Sequence, residues 1–158
     1  MFKKLLNPRS LCLSAVIAAL YAALTLLLAP ISYGSIQCRV SEAMTVLPIL
    51  LPQSIPGLFI GCLIANLYTG MITDVLFGSL ATLLAAVGTY LLRRKPLLAA
   101  ACPVLANAVI VGLVLSVTHG LPVALTMLEV GAGEIAAVAL GMLVLLPAMK
   151  RIDLTKYI

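Results

Sequence analysis

The sequence predicts an all-α membrane protein, a bundle of about six transmembrane helices. Three observations carry that prediction. Of the 158 residues, 63% are hydrophobic and only 9% are charged, against about 45–50% and about 25% in soluble domains. The mean hydropathy is +1.22, and the apolar residues gather in runs near the ~20-residue length that crosses a hydrocarbon core. The basic residues cluster at the ends of those runs, where positive charge sets membrane orientation. No linker or shift in composition divides the chain, so residues 1–158 read as one integral membrane domain.

The first apolar run, Leu11 to Ala29, follows Lys3, Lys4 and Arg9. It exceeds the ~7–15 apolar residues of a signal peptide and reads as a retained span. The second, Ser41 to Leu51, is short and broken by Pro48 and Pro52. It is expected to be partial, tilted or continued by irregular backbone, which membranes tolerate only where it is buried or lines a cavity. Spans over Gly57–Ile72, Asp74–Leu92, Leu97–Val117 and Pro122–Pro147 complete the set. Arg93, Arg94 and Lys95 separate the fourth from the fifth, and Lys150, Arg151 and Lys156 follow the last. With six crossings all three basic clusters share one side. The positive-inside rule makes it the cytoplasm, so the chain is expected to be multi-pass in the plasma membrane with both termini cytoplasmic. Arg39 is then the one basic residue on the outer side.

Several classes are disfavoured. The net charge of +5 comes without a basic stripe interleaved with aromatics, so nucleic acid is not an expected partner. Cys12, Cys38, Cys62 and Cys102 are scattered and His119 is the lone histidine, which argues against a disulfide framework or a metal site. There is no G-x-x-x-x-G-K-[ST], G-x-S-x-G or H-E-x-x-H. The chain is therefore not expected to be an enzyme, to hold a cofactor, or to hydrolyse ATP by a phosphate loop. No internal repeat supports an inverted-repeat carrier.

The long polar interruption is Tyr33–Glu42, which sets Arg39 and Glu42 three residues apart. Each unpaired charge at depth costs about 2.5–3.5 kcal/mol on insertion scales, so such groups pair or face a cavity. A structural Arg39–Glu42 ion pair and a ligand contact stand as equal readings. Gln37 shares this loop, and Asn66, Asn107, Glu129 and Glu134 add polar groups in later spans. Glu129 lies seven positions into the last span, roughly 10 Å down at 1.5 Å per residue. If Arg39 offsets one carboxylate, at least one of Glu129 and Glu134 is left to be protonated, hydrogen-bonded or met by a cationic ligand. Asp74 opens a helix and reads as an N-cap. Asn66 and Asn107 also fit simple interhelical hydrogen bonds. His119 beside Gly120 reads as a loop residue.

Ala15, Ala19 and Ala23 form a small-residue stripe in the first span. Such stripes let helix backbones approach closely. Internal packing and a docking face for another membrane subunit are both open for it. The Gly57–Gly61–Ala65 stripe reads as internal packing. Tyr33, Tyr68 and Phe77 sit near the outer face, suited either to stacking on a flat heteroaromatic ligand or to the aromatic belt of a membrane interface. A carboxylate matches the adjacent N–H and NH2 donors of a guanine-like edge in bidentate fashion.

The run Tyr33-Gly34-x-Ile36-Gln37-x-Arg39-Val40-Ser41-Glu42, followed by Leu47-Pro48 and Pro56 to Asn66, carries a resemblance. Asp74, Phe77 to Leu83, Pro103-Val104-x-x-Asn107 and Gly133-Glu134 continue it in order. On these residues the chain resembles the QueT family, the queuosine-precursor substrate-binding (S) components of energy-coupling factor (ECF) transporters. The resemblance implies a six-helix S component that captures a 7-deazaguanine base or queuine at its outer face. It further implies docking on an ECF transmembrane subunit with two ATPase subunits, which use ATP, and tilting of the docked chain to open its site inward. Gln37, Arg39, Glu42, Asn66, Asn107, Glu129 and Glu134 are the expected substrate contacts, with Tyr33, Tyr68 and Phe77 as stacking candidates. Ala15, Ala19 and Ala23 would form the docking face. The rival readings are an S component for another vitamin-like cargo and a standalone proton-coupled carrier using Glu129 or Glu134.

Overall fold

A computed structural model describes residues 7–32 and 39–152. Among them the regular elements are all helices, without a strand. The first helix, α1 (Pro8–Leu27), begins at a proline, whose fixed φ suits the first turn. A short helix, α2 (Ala29–Ser32), follows. The chain is next described at Arg39, from which Val40–Ile49 runs as a 3-10 helix. Then come α3 (Ser54–Leu67), a π turn over Asp74–Gly78 leading into α4 (Ser79–Leu91), and α5 (Pro96–His119). The last segment is α6 (Val123–Leu140), a second π turn over Gly141–Leu145, and α7 (Leu146–Lys150).

Four of these stretches are long and apolar enough to cross a membrane: Pro8–Leu27, Asp74–Leu91, Pro96–His119 and Val123–Lys150. Val40–Ile49 and Ser54–Leu67 are shorter apolar helices between them. The six expected segments are thus present, two of them short. The irregular backbone expected near Pro48 takes the form of the 3-10 helix. Runs of that helix beyond three or four residues are uncommon, because its hydrogen bonds are strained. This one persists inside protein: every residue from Ser41 to Pro48 is buried. At about 2.0 Å of rise per residue, ten residues reach roughly 20 Å, where an α-helix of that length would reach about 15 Å.

The glycines of the third segment sit where α3 meets α1. A Cβ on Gly57 would lie 2.6 Å from the Ser14 carbonyl oxygen, and one on Gly61 2.7 Å from that of Ala18. Only glycine permits this approach, so the stripe is internal packing, as expected. Gly141 plays the same part in the second π turn, where an added Cβ would collide with the Ala43 carbonyl of the 3-10 helix. A π turn here also precedes Pro147, which lacks a backbone N–H and disturbs the helix on its N-terminal side. Ile17, Tyr21, Met44, Leu47, Leu58 and Cys62 form the main buried apolar cluster, joining α1, α3 and the 3-10 helix.

Two local expectations are corrected. Asp74 lies within a first turn already begun at Ile72, so it does not hold the N-cap position. A carboxylate there still suits the helix dipole. His119 closes α5 and is not in a loop.

Candidate functional site

Arg39, Glu42, Asn107, Val111, Val130 and Glu134 line one small cavity of about 10 Å³, room for about one water. The register of the α5–α6 hairpin explains four of the six. Asn107 lies 13 residues before Gly120 and Glu134 lies 13 after Leu121. Val111 and Val130 lie nine residues from the same two positions. In two antiparallel helices joined by a tight turn, positions equidistant from the turn meet. Asn107 and Val111 are one turn apart on α5, and Val130 and Glu134 one turn apart on α6, so each pair shares a face. The 3-10 helix supplies the opposite wall, with Arg39 at its start and Glu42 in its first turn.

Four of the cavity's side chains are polar and all four are buried. The Tyr21 hydroxyl of α1 donates a hydrogen bond to Glu42 Oε1. The Thr82 hydroxyl of α4 lies 3.4 Å from the same oxygen. Thr25 and Ser41 share a hydrogen bond of 2.6 Å, and the Thr45 hydroxyl donates to the Glu42 carbonyl at 2.6 Å. The start of the 3-10 helix is therefore fastened to α1. Asn107 lies within hydrogen-bonding reach of both carboxylates. Glu42 Oε2 and Glu134 Oε1 are buried and have no hydrogen-bond partner among the described residues. A buried acceptor left in that state costs about 1–3 kcal/mol, and more if it is charged.

Charge follows the same pattern. Two carboxylates and one guanidinium line the cavity. With both acids ionised the site is one positive charge short, and burial makes that shortfall costly. The cavity can therefore accept a small polar guest with N–H donors. The space is narrow, about one water-sized sphere across, so a ring can enter only as the lining side chains draw apart.

The remaining expected contacts lie elsewhere. Tyr33 and Gln37 fall outside the described residues. Asn66 is fully buried but does not line the cavity. Its amide donates to the Asp74 carbonyl at 3.0 Å and steadies the first π turn. Glu129 is half-buried and also outside the lining. It precedes Glu134 by five residues, which turns it about 140° away around the helix. Tyr68 and Phe77 are exposed, 70% and 47%, and neither lines the cavity. Ala15, Ala19 and Ala23 are exposed on α1, whereas Ala18 and Ala22 are buried.

Tyr21, Thr82, Val111 and Val130 were not anticipated from sequence. A signal for Tyr21 exists: Ser10, Ser14, Tyr21, Thr25 and Ser32 recur at helical spacing through an apolar run, and all five are buried.

No solved structure matches the chain. Over 83 residues it is 40% identical to the "Queuosine precursor transporter QueT" of Lactococcus lactis subsp. cremoris (strain MG1363). That match covers 51% of the chain and 49% of the relative, so it spans about half the relative's length. The family model described as "QueT transporter" matches residues 11–150, which include all six cavity residues. The chain belongs to the QueT transporter family.

Proposed function

We propose that this chain is the substrate-binding component of an ECF-type importer and that its cargo is a queuosine precursor, a 7-deazaguanine base. The observation that carries the reading is the pair of buried carboxylates, Glu42 and Glu134, each with an oxygen lacking a partner among the described residues and each within reach of Asn107. One carboxylate accepts the two adjacent N–H donors of the guanine-like edge, and the other accepts an aminomethyl arm. The Asn107 amide reads a remaining polar edge, and Arg39 balances charge. A cationic arm supplies the positive charge that the site lacks. The printed name of the Lactococcus relative supports the cargo class. The chain performs no chemistry on its guest.

Transport in this reading is driven by partners. The chain docks on a transmembrane subunit through the exposed face of α1 at Ala15, Ala19 and Ala23. Two ATPase subunits use ATP, and the docked chain tilts to open its site inward. Its basic ends, Arg93–Lys95 and Lys150–Arg151, lie in the cytoplasm by the positive-inside rule.

The test is uptake of labelled 7-aminomethyl-7-deazaguanine by cells that express this chain with or without the ATP-driven module. Uptake only with the module is expected. Uptake without it, abolished by an uncoupler, would replace this reading with a proton-coupled carrier built on Glu134.

A further inference from the structure

A second concave surface lies on the α5–α6 hairpin, lined by none of the cavity's residues. Small residues, Ala100, Ala101 and Ala139, stand among larger ones such as Leu97, Leu105 and Leu143. They line an open groove of about 530 Å³ whose lining is almost wholly apolar. Along α5 it runs from Leu97 to Leu105. Eight residues at 1.5 Å each give about 12 Å. One leaflet of a ~30 Å hydrocarbon core is about 15 Å deep. The groove is therefore about one acyl chain long.

What marks it out from the rest of the apolar surface is its end. Leu97 follows Arg93, Arg94 and Lys95, all exposed. Arg93 is engaged: its Nη1 donates to the Tyr90 carbonyl at 3.0 Å, and its guanidinium lies 4.1 Å from the Tyr90 ring centre. Arg94 and Lys95 stand three and two residues before Leu97, the start of the groove wall. Lys150 and Arg151 close the α6–α7 side of the same end and are also exposed. Among the chain's five acidic residues only Asp153 neighbours this end in sequence, and it lies outside the described residues.

We propose that the α5–α6 groove is a binding site for an anionic phospholipid. One acyl chain lies along Ala100, Ala101 and Ala139, and the phosphate is held by Arg94 and Lys95. Apolar burial alone would not choose among lipids; the two cations add a preference for negative headgroups.

The protein, stripped of lipid in a neutral detergent, is offered phosphatidylglycerol and phosphatidylcholine with identical acyl chains, and retained lipid is weighed by native mass spectrometry. Phosphatidylglycerol is expected to be retained in preference. R94Q/K95Q should weaken its binding roughly ten- to thirty-fold, to the level of phosphatidylcholine. Ala101→Phe, which fills the groove, should weaken both lipids. All these positions are at least partly exposed, so the variants should unfold thermally with the wild type. Equal retention of the two lipids by the wild type would overturn the proposal. So would a preference that survives R94Q/K95Q but is lost in K150Q/R151Q.

Discussion

Glu134 presents a buried carboxylate oxygen with no partner among the described residues, which a folded protein tolerates only at a cost. Replacing the acid by its amide should therefore leave the free protein at least as stable, while removing the acceptor for a cationic arm. Glu134→Gln is expected to weaken binding of 7-aminomethyl-7-deazaguanine by about 10- to 100-fold, the worth of a hydrogen bond to a charged group. Calorimetric titration beside thermal unfolding checks this, and unchanged affinity would remove Glu134 from the site. Tyr21 acts differently, because its hydroxyl holds Glu42 in place. Tyr21→Phe is expected to lower both affinity and stability, the latter by about 1–3 kcal/mol. If affinity fell with stability untouched, Tyr21 would be touching the ligand directly. Arg39, Glu42, Asn107 and Glu134 were legible in the sequence because charged and amide groups are rare in apolar runs. Glu129 was read from depth alone, and its direction around α6 keeps it out of this cavity's lining. Nothing in residue type separates Asn66, which steadies a π turn, from Asn107, which faces the carboxylates.

At the scale of elements, glycines decide which helices touch. Gly61→Ala places a methyl 2.7 Å from a backbone oxygen of α1 that no side-chain rotation can move away. It should cost about 1–3 kcal/mol. Gly131→Ala is the matched control: its nearest neighbour would be the Ala108 methyl at 3.5 Å, an ordinary contact. There the better helix propensity of alanine should leave stability unchanged or raise it by up to about 1 kcal/mol. Thermal unfolding of the pair in one detergent checks both, and equal effects would contradict the α1–α3 packing. The six apolar segments were legible because hydrophobic runs near spanning length are a strong signal. So was the break at Pro48, though only as irregularity. The 3-10 geometry was not, since it depends on burial by α1, α4 and α6 and on the close approach of Gly141. The hairpin register was legible in principle. Equal spacing of Asn107 and Glu134 from the Gly120–Leu121 turn pairs them without any coordinates.

For the whole molecule, the proposed ligand cavity and the proposed docking face are different surfaces. The cavity is enclosed by the 3-10 helix, α5 and α6, whereas Ala15, Ala19 and Ala23 are exposed on α1. Substituting all three alanines by leucine should leave ligand affinity unchanged and abolish ATP-driven uptake. Loss of affinity in that variant would mean that α1 shapes the cavity through this face as well. Family membership was legible from ordered short blocks over most of the chain, and the match over residues 11–150 agrees. Tyr33 to Cys38 lie outside the described residues. The central claim is that Glu42, Asn107 and Glu134 form a receptor for a 7-deazaguanine base. Its most direct test is the thermal stability of the purified protein in detergent against 7-cyano- and 7-aminomethyl-7-deazaguanine, queuine, guanine and several B vitamins. At 100 times its dissociation constant a true ligand stabilises the fold by about 2.7 kcal/mol. The account predicts a shift confined to the deazaguanines, larger for the amine than for the nitrile, and lost for the amine in Glu134→Gln. A shift produced by a B vitamin and by no deazaguanine would contradict it.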